Sequence, residues 1–226
     1  FAPVLHHDHL SFLAQAMVDG IDMHADTSSL TSHGPVPPSV LSRQNPDKVL
    51  SGHLKHMRAG RMLVFRRQDK HLWQHFDITF SSLSWVDEDP ENKPDGRSCI
   101  NASAPLGNSV NDVTDDTELP WEHYVTLQTV VSEWVSHMQE LSVALGMQID
   151  DHTWTLVKLD IEKAFMKISI RPADVGKLSY MFKEYVFVMM VLPFGWKGSS
   201  YCFDPFTSAI RALHNASRPA AKDHAL

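Results

Sequence analysis

Two cysteines, Cys99 and Cys202, are all the thiol chemistry in 226 residues. Two cannot build a disulfide scaffold, and the scarcity fits a reducing, intracellular compartment. Long apolar runs are also missing, since none approaches the roughly 20 residues that a membrane helix needs. No charged stretch leads into a short apolar one, so no secretory signal is seen. These features point to an intracellular chain that is not secreted and has no membrane partner. Positive charge is in deficit. Twenty Lys and Arg against 27 Asp and Glu leave a net charge of −7. That excludes a surface coated in basic residues, but not a local basic groove beside an acidic site. The first residue is Phe1 rather than Met, which suggests a fragment or a processed product.

What is present is an ordinary globular composition, 43% hydrophobic and 21% charged, enough for a real core. Residues 4–18 space Leu10, Leu13, Ala14 and Met17 as a helix does. Residues 26–39 are rich in Ser, Thr and Pro and read as a linker or exposed loop. Residues 45–65 read as a helix with Pro46 in its first turn and a break near Gly60. "MLVF" and "FDITFSSLSWV" have strand character, "PDG" is a turn signal, and "RSCI" is a candidate returning strand. Residues 121–146 are the clearest helix: Val131, Trp134, Val135, Met138, Leu141, Val143 and Leu145 make a wide apolar stripe that Gly146 can end. The stripe is expected in the core. Residues 153–161 read as a strand, and 178–192 as two strands around Lys183-Glu184. "PFGWKGSSYCF" begins as a turn and passes into a helix, with Ser199 and Ser200 as capping candidates. Strands interleaved with helices predict an α+β chain with a mixed, partly antiparallel sheet.

The chemistry centres on "LVKLDIEKAFMKISI", residues 156–170, where Asp160 closes an apolar run. A carboxylate at a strand end can be held rigidly toward a cleft, and Mg²⁺ prefers such oxygen ligands. Taken alone, a turn or cap is the plainer reading. The second element is "LPFGWKGSSYCF", residues 192–203, where Gly195 lets backbone approach a ligand and Lys197 could meet a phosphate.

In that order, with 35 residues from Asp160 to Gly195, these stretches resemble motifs A and B of the reverse transcriptase palm. The second is similar to the "LPQGWKGSP" form of retroviral enzymes and the "LPFG" form of retrotransposons. Upstream, "GRSCINASAPLGNSVND" resembles the fingers segment, most closely that of tyrosine-recombinase (DIRS-like) retrotransposons. The resemblance spans roughly 90–212. It implies right-hand polymerase fingers over 76–155 and a partial, incomplete palm over 156–226. Residues 1–75 are left as an N-terminal extension with a flexible 26–45 linker.

The resemblance also implies roles. Asp160 matches the carboxylate that binds the catalytic Mg²⁺ ions, assisted by the Ile161 carbonyl. Phe165 matches the residue that excludes a 2′-hydroxyl, and Arg97 the fingers arginine over the triphosphate. Phe194 and Gly195 match the turn near nucleotide and template. The implied partners are a template-primer and a deoxynucleoside triphosphate. Several positions depart from the pattern: Phe194 stands for the retroviral Gln, Ser200 for Pro, and Asn101 for a carboxylate or His. No aromatic-x-Asp-Asp follows Gly195 in these residues, so the carboxylates of motif C are missing and the chain as written is expected to be inactive. The alternative is a decayed or repurposed module that binds nucleic acid or protein without catalysis.

Other candidates have plain readings. Asp150-Asp151 and Asp115-Asp116 read as polar turns. "HHDH" at 6–9 puts His6 and His9 three apart but lacks a second cluster. Arg58, Arg61, Arg66, Arg67 and Lys70 form a basic cluster that could track a nucleic-acid backbone or simply face solvent.

Overall fold

The computed structural model describes residues 7–31, 34–87, 96–120, 127–146 and 161–216. Helix α1 (His7–Asp19) ends at Gly20, whose φ of 85° only glycine adopts freely. A single 3-10 turn (Thr27–Ser29) and the short α2 (Val40–Gln44) lie within 26–45, the stretch read as a linker. That stretch is tied down. Ser42 Oγ donates to the Leu83 carbonyl at 3.1 Å, and Ser82 Oγ donates to the Pro37 carbonyl at 2.7 Å. Helix α3 (Pro46–Arg58) starts on Pro46 at its first position, carries Lys55, His56 and Arg58 in its last turn, and stops before Gly60 at φ 67°.

Strand β1 (Met62–Arg66) follows, then the one-turn α4 (Lys70–Trp73), strand β2 (Phe80–Asp87) and strand β3 (Gly96–Asn101). After α5 (Val110–Val113) and α6 (Leu127–Leu145) come β4 (Ser179–Phe182), β5 (Tyr185–Met189) and α7 (Gly198–Ala216). Among the described residues five strands form one mixed sheet in the order β1-β5-β4-β2-β3. β2 and β4 run parallel through Phe80↔Ser179 and Ser81↔Tyr180, while the other three pairings are antiparallel. Fold class is therefore mixed α and β, as the alternation of elements predicts. The β4–β5 hairpin turns on Lys183 at φ 53°, at the expected Lys183-Glu184 position.

The core sits against the sheet and includes residues from the first quarter of the chain. Ile21, Met23, Ala25 and Val49 are buried in the same cluster as Tyr180, Phe187 and Leu192. The N-terminal segment is stitched in by backbone bonds, Ile21 N to Ser169 O at 2.8 Å and Arg171 N to Ile21 O at 3.0 Å. Asp174, 1% exposed, completes the seam. It accepts from Met23 N at 2.9 Å, and its carboxylate lies 2.7 Å from both Lys177 Nζ and Arg171 Nε. Burial pushes the Asp174 carboxyl up, but the Lys177 and Met23 hydrogen bonds and the cations beside it prevail and hold it below the usual range.

The contacts divide the chain into two compact units, 1–121 with 163–226, and 122–162. The described part of the second unit is chiefly α6, which ends at Gly146 with φ 64° as expected. Its apolar stripe corrects the expectation of a core helix. Val131, Trp134, Val135 and Val143 are 41–84% exposed, and only Met138 is buried among the stripe positions whose burial is described. Apolar periodicity marks a helix and a face, but not what covers that face. Residues 153–160 of the strand expected over 153–161, the pair Asp150-Asp151 and His6 lie outside the described residues. The two thiols are free, Cys202 buried and Cys99 half-buried, as small near-core residues. Burial, with a contribution from Asp22, pushes the Cys202 thiol up to about 12.

Candidate nucleotide site

The turn 193–197 joins the sheet to α7 and lies against β3. Phe194 O accepts from Ile100 N at 3.2 Å, so the turn docks on the strand backbone. Gly195 has φ 104°, and a Cβ there would sit 1.7 Å from the Ile100 carbonyl oxygen. Both the backbone angle and the close approach require glycine. Trp196 is buried and donates from Nε1 to Thr114 Oγ1 at 3.1 Å. Ser199 Oγ donates to the Pro193 carbonyl at 2.7 Å, closing the turn from the α7 side.

A second clamp comes from α5. Ser109 caps this helix, and the Asp112 carboxylate accepts in return from Ser109 N at 2.9 Å, a reciprocal capping box. Hydrogen bonds from the Ser109 side chain hold the Asp112 carboxyl below its ordinary value. The capped helix presents Asn111 to the turn. Asn111 Nδ2 donates to Gly195 O at 3.0 Å, and Asn111 Oδ1 accepts from Lys197 N at 3.0 Å. One side chain thus satisfies the backbone on both sides of Trp196.

Beside the turn stands an aromatic stack. Phe165, in a 3-10 turn (Phe165–Lys167), meets Phe194 edge-on at 5.2 Å and Phe203 of α7 at 5.5 Å. Arg97, exposed on β3, holds its guanidinium carbon 5.0 Å from the Phe194 ring centre, a cation–π distance. Arg97 also interacts with Cys99; burial raises that thiol and the arginine opposes the rise. Lys197 Nζ is paired with Asp116 Oδ1 at 2.6 Å on the surface.

The structure therefore gathers Arg97, Phe165, Phe194, Gly195 and Lys197 around one turn, from positions up to 100 residues apart. Asp160 lies outside the described residues, and Ile161 belongs to the separate unit 122–162. Among the described residues no three His, Cys, Asp or Glu side chains are grouped to hold a metal ion, so the Mg²⁺ expectation rests on Asp160 and Ile161 alone. Sequence reasoning missed Asn111, Asp116 and Phe203. "SVND" signalled Asn111 only as part of a resemblance, and nothing in the sequence places its amide against residues 195 and 197. Asp115 caps a 3-10 turn by accepting from Thr117 N at 2.9 Å, the polar-turn role expected of it.

The basic cluster forms a second feature. Arg66 and Arg67 are exposed and, with Gln68, Glu184 and Tyr185, line an open cleft of about 700 Å³.

The fold is thus a mixed α/β arrangement on an open five-stranded sheet. No family model matches the chain, and no curated protein matches it. One solved structure to which it is similar is a foamy viral protease-reverse transcriptase in complex with double-stranded DNA. That similarity has 13% identity and a TM-score of 0.45, and it covers 96% of this chain and 34% of that one. The chain thus spans about a third of that protein's length. Among the described residues no helix is long and apolar enough to cross a membrane.

Proposed function

We propose that this chain is the fingers and first half of the palm of a reverse-transcriptase-like domain from a retroelement, with fingers over 76–155 and partial palm over 156–226. The observation that carries the reading is the gathering of Arg97, Phe165, Phe194, Gly195 and Lys197 at one turn, from motifs that follow the family order. The substrates are a template-primer and a deoxynucleoside triphosphate. Arg97, exposed and oriented by the Phe194 ring, meets the triphosphate as a rigid fork of donors. Lys197 offers a second cation once phosphate displaces Asp116, and a surface ion pair of this kind yields readily. Gly195 lets the turn dock on the Ile100 carbonyl, which sets Phe194 and Lys197 beside the substrate, and Phe165 limits the room at the sugar.

Mg²⁺, held by Asp160 and the Ile161 carbonyl, would neutralise phosphate charge when bound. A two-ion site needs further carboxylates, so the 226 residues alone are expected to leave primers at background extension. Binding is the property to test. A fluorescent primer-template should bind with an affinity that falls as salt rises, since phosphate contacts release counterions. Arg97→Ala should weaken nucleotide-dependent binding roughly tenfold, about 1.4 kcal/mol. Binding indifferent to salt and to Arg97→Ala would sink the reading. Robust primer extension by the 226 residues would remove the claim that the chain is inactive alone.

A further inference from the structure

A small cavity of about 10 Å³ is lined by residues of the core and of the Phe194 turn, and it shares Phe194 with the nucleotide site proposed above. That volume holds one water-sized guest or one ion. Its walls include His53, His56 and Ser98, together with Met62, Met166 and Met189. The Nδ1 atoms of both histidines are buried and have no hydrogen-bond partner among the described residues, as is Ser98 Oγ. His53 is only 2% exposed, so its bare nitrogen is not satisfied from solvent. Three methionines from three separate elements converge on the same space: the start of β1, the 165–167 turn and the end of β5. All three are buried.

We propose that His53, His56, Met62, Met166 and Met189 form a binding site for one soft monovalent metal ion of the Cu(I) class. The donor set selects the ion. Thioethers favour soft ions, imidazole binds many, and hard Mg²⁺ or Ca²⁺ wants oxygen. Among the described residues no carboxylate lines the cavity, so a divalent ion would bring two charges uncompensated by them into the core. A single positive charge beside the Phe194 and Tyr180 rings is easier to hold. His53 and His56 lie three apart on α3, one face of a helix. The far nitrogen is already held. His53 Nε2 lies 3.1 Å from Tyr180 Oη, and when Nε2–H donates to that oxygen the Nδ1 lone pair is free for a metal. This is the outer-shell arrangement that orients metal-binding histidines.

The test uses Ag(I), a redox-inert probe of Cu(I) sites, on the full chain with Cys99→Ser and Cys202→Ala to remove competing thiols. Methionine methyl groups are ¹³C-labelled and followed by NMR. One equivalent of Ag(I) should shift the methyl signals of Met62, Met166 and Met189 ahead of the other methionines and raise the melting midpoint. Met166→Leu, which keeps volume while deleting one thioether, and His56→Gln should each weaken this uptake at least tenfold with the circular dichroism spectrum retained. Three unmoved methyl signals would overturn the proposal. So would unchanged affinity in folded Met166→Leu and His56→Gln, or uptake confined to other methionines and histidines.

Discussion

The turn at 193–197 and the helix α6 each carry a tryptophan among apolar residues, yet they are built in opposite ways. In the turn the backbone is held from several sides: Phe194 O by Ile100 N, Gly195 O and Lys197 N by Asn111, Pro193 O by Ser199. Trp196 is buried and its nitrogen is satisfied by Thr114. Helix α6 instead leaves Val131, Trp134, Val135 and Val143 exposed. The difference teaches that sequence hydrophobicity alone does not locate rigidity. Rigidity follows from long-range polar pairing at fixed backbone, and a site that must hold a geometry is made that way.

The comparison predicts a steep gradient of mutational cost, read by chemical denaturation. Gly195→Ala should be the most damaging, on the order of 4 kcal/mol or more, because the Cβ collides with the Ile100 carbonyl and the backbone angle is unfavourable. A folded protein with near-native stability would break the claim that the turn is docked on β3. Asp174→Asn comes next, at about 3 kcal/mol, since it strips a buried carboxylate from Lys177 and Arg171.

Asp174 also sets an acid limit. Its folded pKa lies below the unfolded value, so the unfolded chain binds more protons in the window between them. The stability it contributes is present above about pH 4 and is lost as pH falls through the lower folded value. Asp174→Asn should flatten that part of the pH-stability curve; an unchanged acid slope would exclude Asp174 as its source.

Asn111→Ala should cost about 1–2 kcal/mol by leaving Gly195 O and Lys197 N unpaired. Asn111→Asp keeps the acceptor for Lys197 N but loses the donor to Gly195 O, so it should fall between the wild type and Asn111→Ala. At the bottom of the gradient, Trp134→Gln on α6 and Asp116→Asn beside Lys197 should each change stability by no more than about 0.5 kcal/mol. A loss several times larger for Trp134→Gln would show that the exposed stripe of α6 is covered in solution and would erase the contrast.

Local chemistry made much of this fold readable. Pro46 and Gly60 bracket α3, Lys183-Glu184 separates β4 from β5, and Gly195 with the serines after it marks the turn into α7. Each of these signals acts over a few residues. What could not be read is non-local. The parallel pairing of β2 with β4, the seam from Met23 to Asp174 across 151 residues, and the reach of Asn111 to residues 195 and 197 depend on three-dimensional closure. Arg97, Phe165, Phe194, Gly195 and Lys197, singled out in the sequence, do lie together around the turn, while Asp160 lies outside the described residues. Their supports were not legible. Phe203 and Asn111 look unremarkable in sequence, and nothing in it pairs Lys197 with Asp116. The stripe on α6 misled for the same reason, since a periodic pattern specifies a face and not its neighbour.

The central claim is that the 193–197 turn receives a nucleotide. Two-dimensional NMR of the ¹⁵N-labelled chain with a primer-template and a deoxynucleoside triphosphate in Mg²⁺ tests it most directly. The account predicts that the complementary nucleotide shifts the Gly195 and Lys197 amides and the Asn111 side-chain amide, that a mismatched one shifts them less, and that Arg97→Ala abolishes the difference. Equal or absent shifts at these three positions, with changes confined to the Arg66–Arg67 cleft, would contradict it.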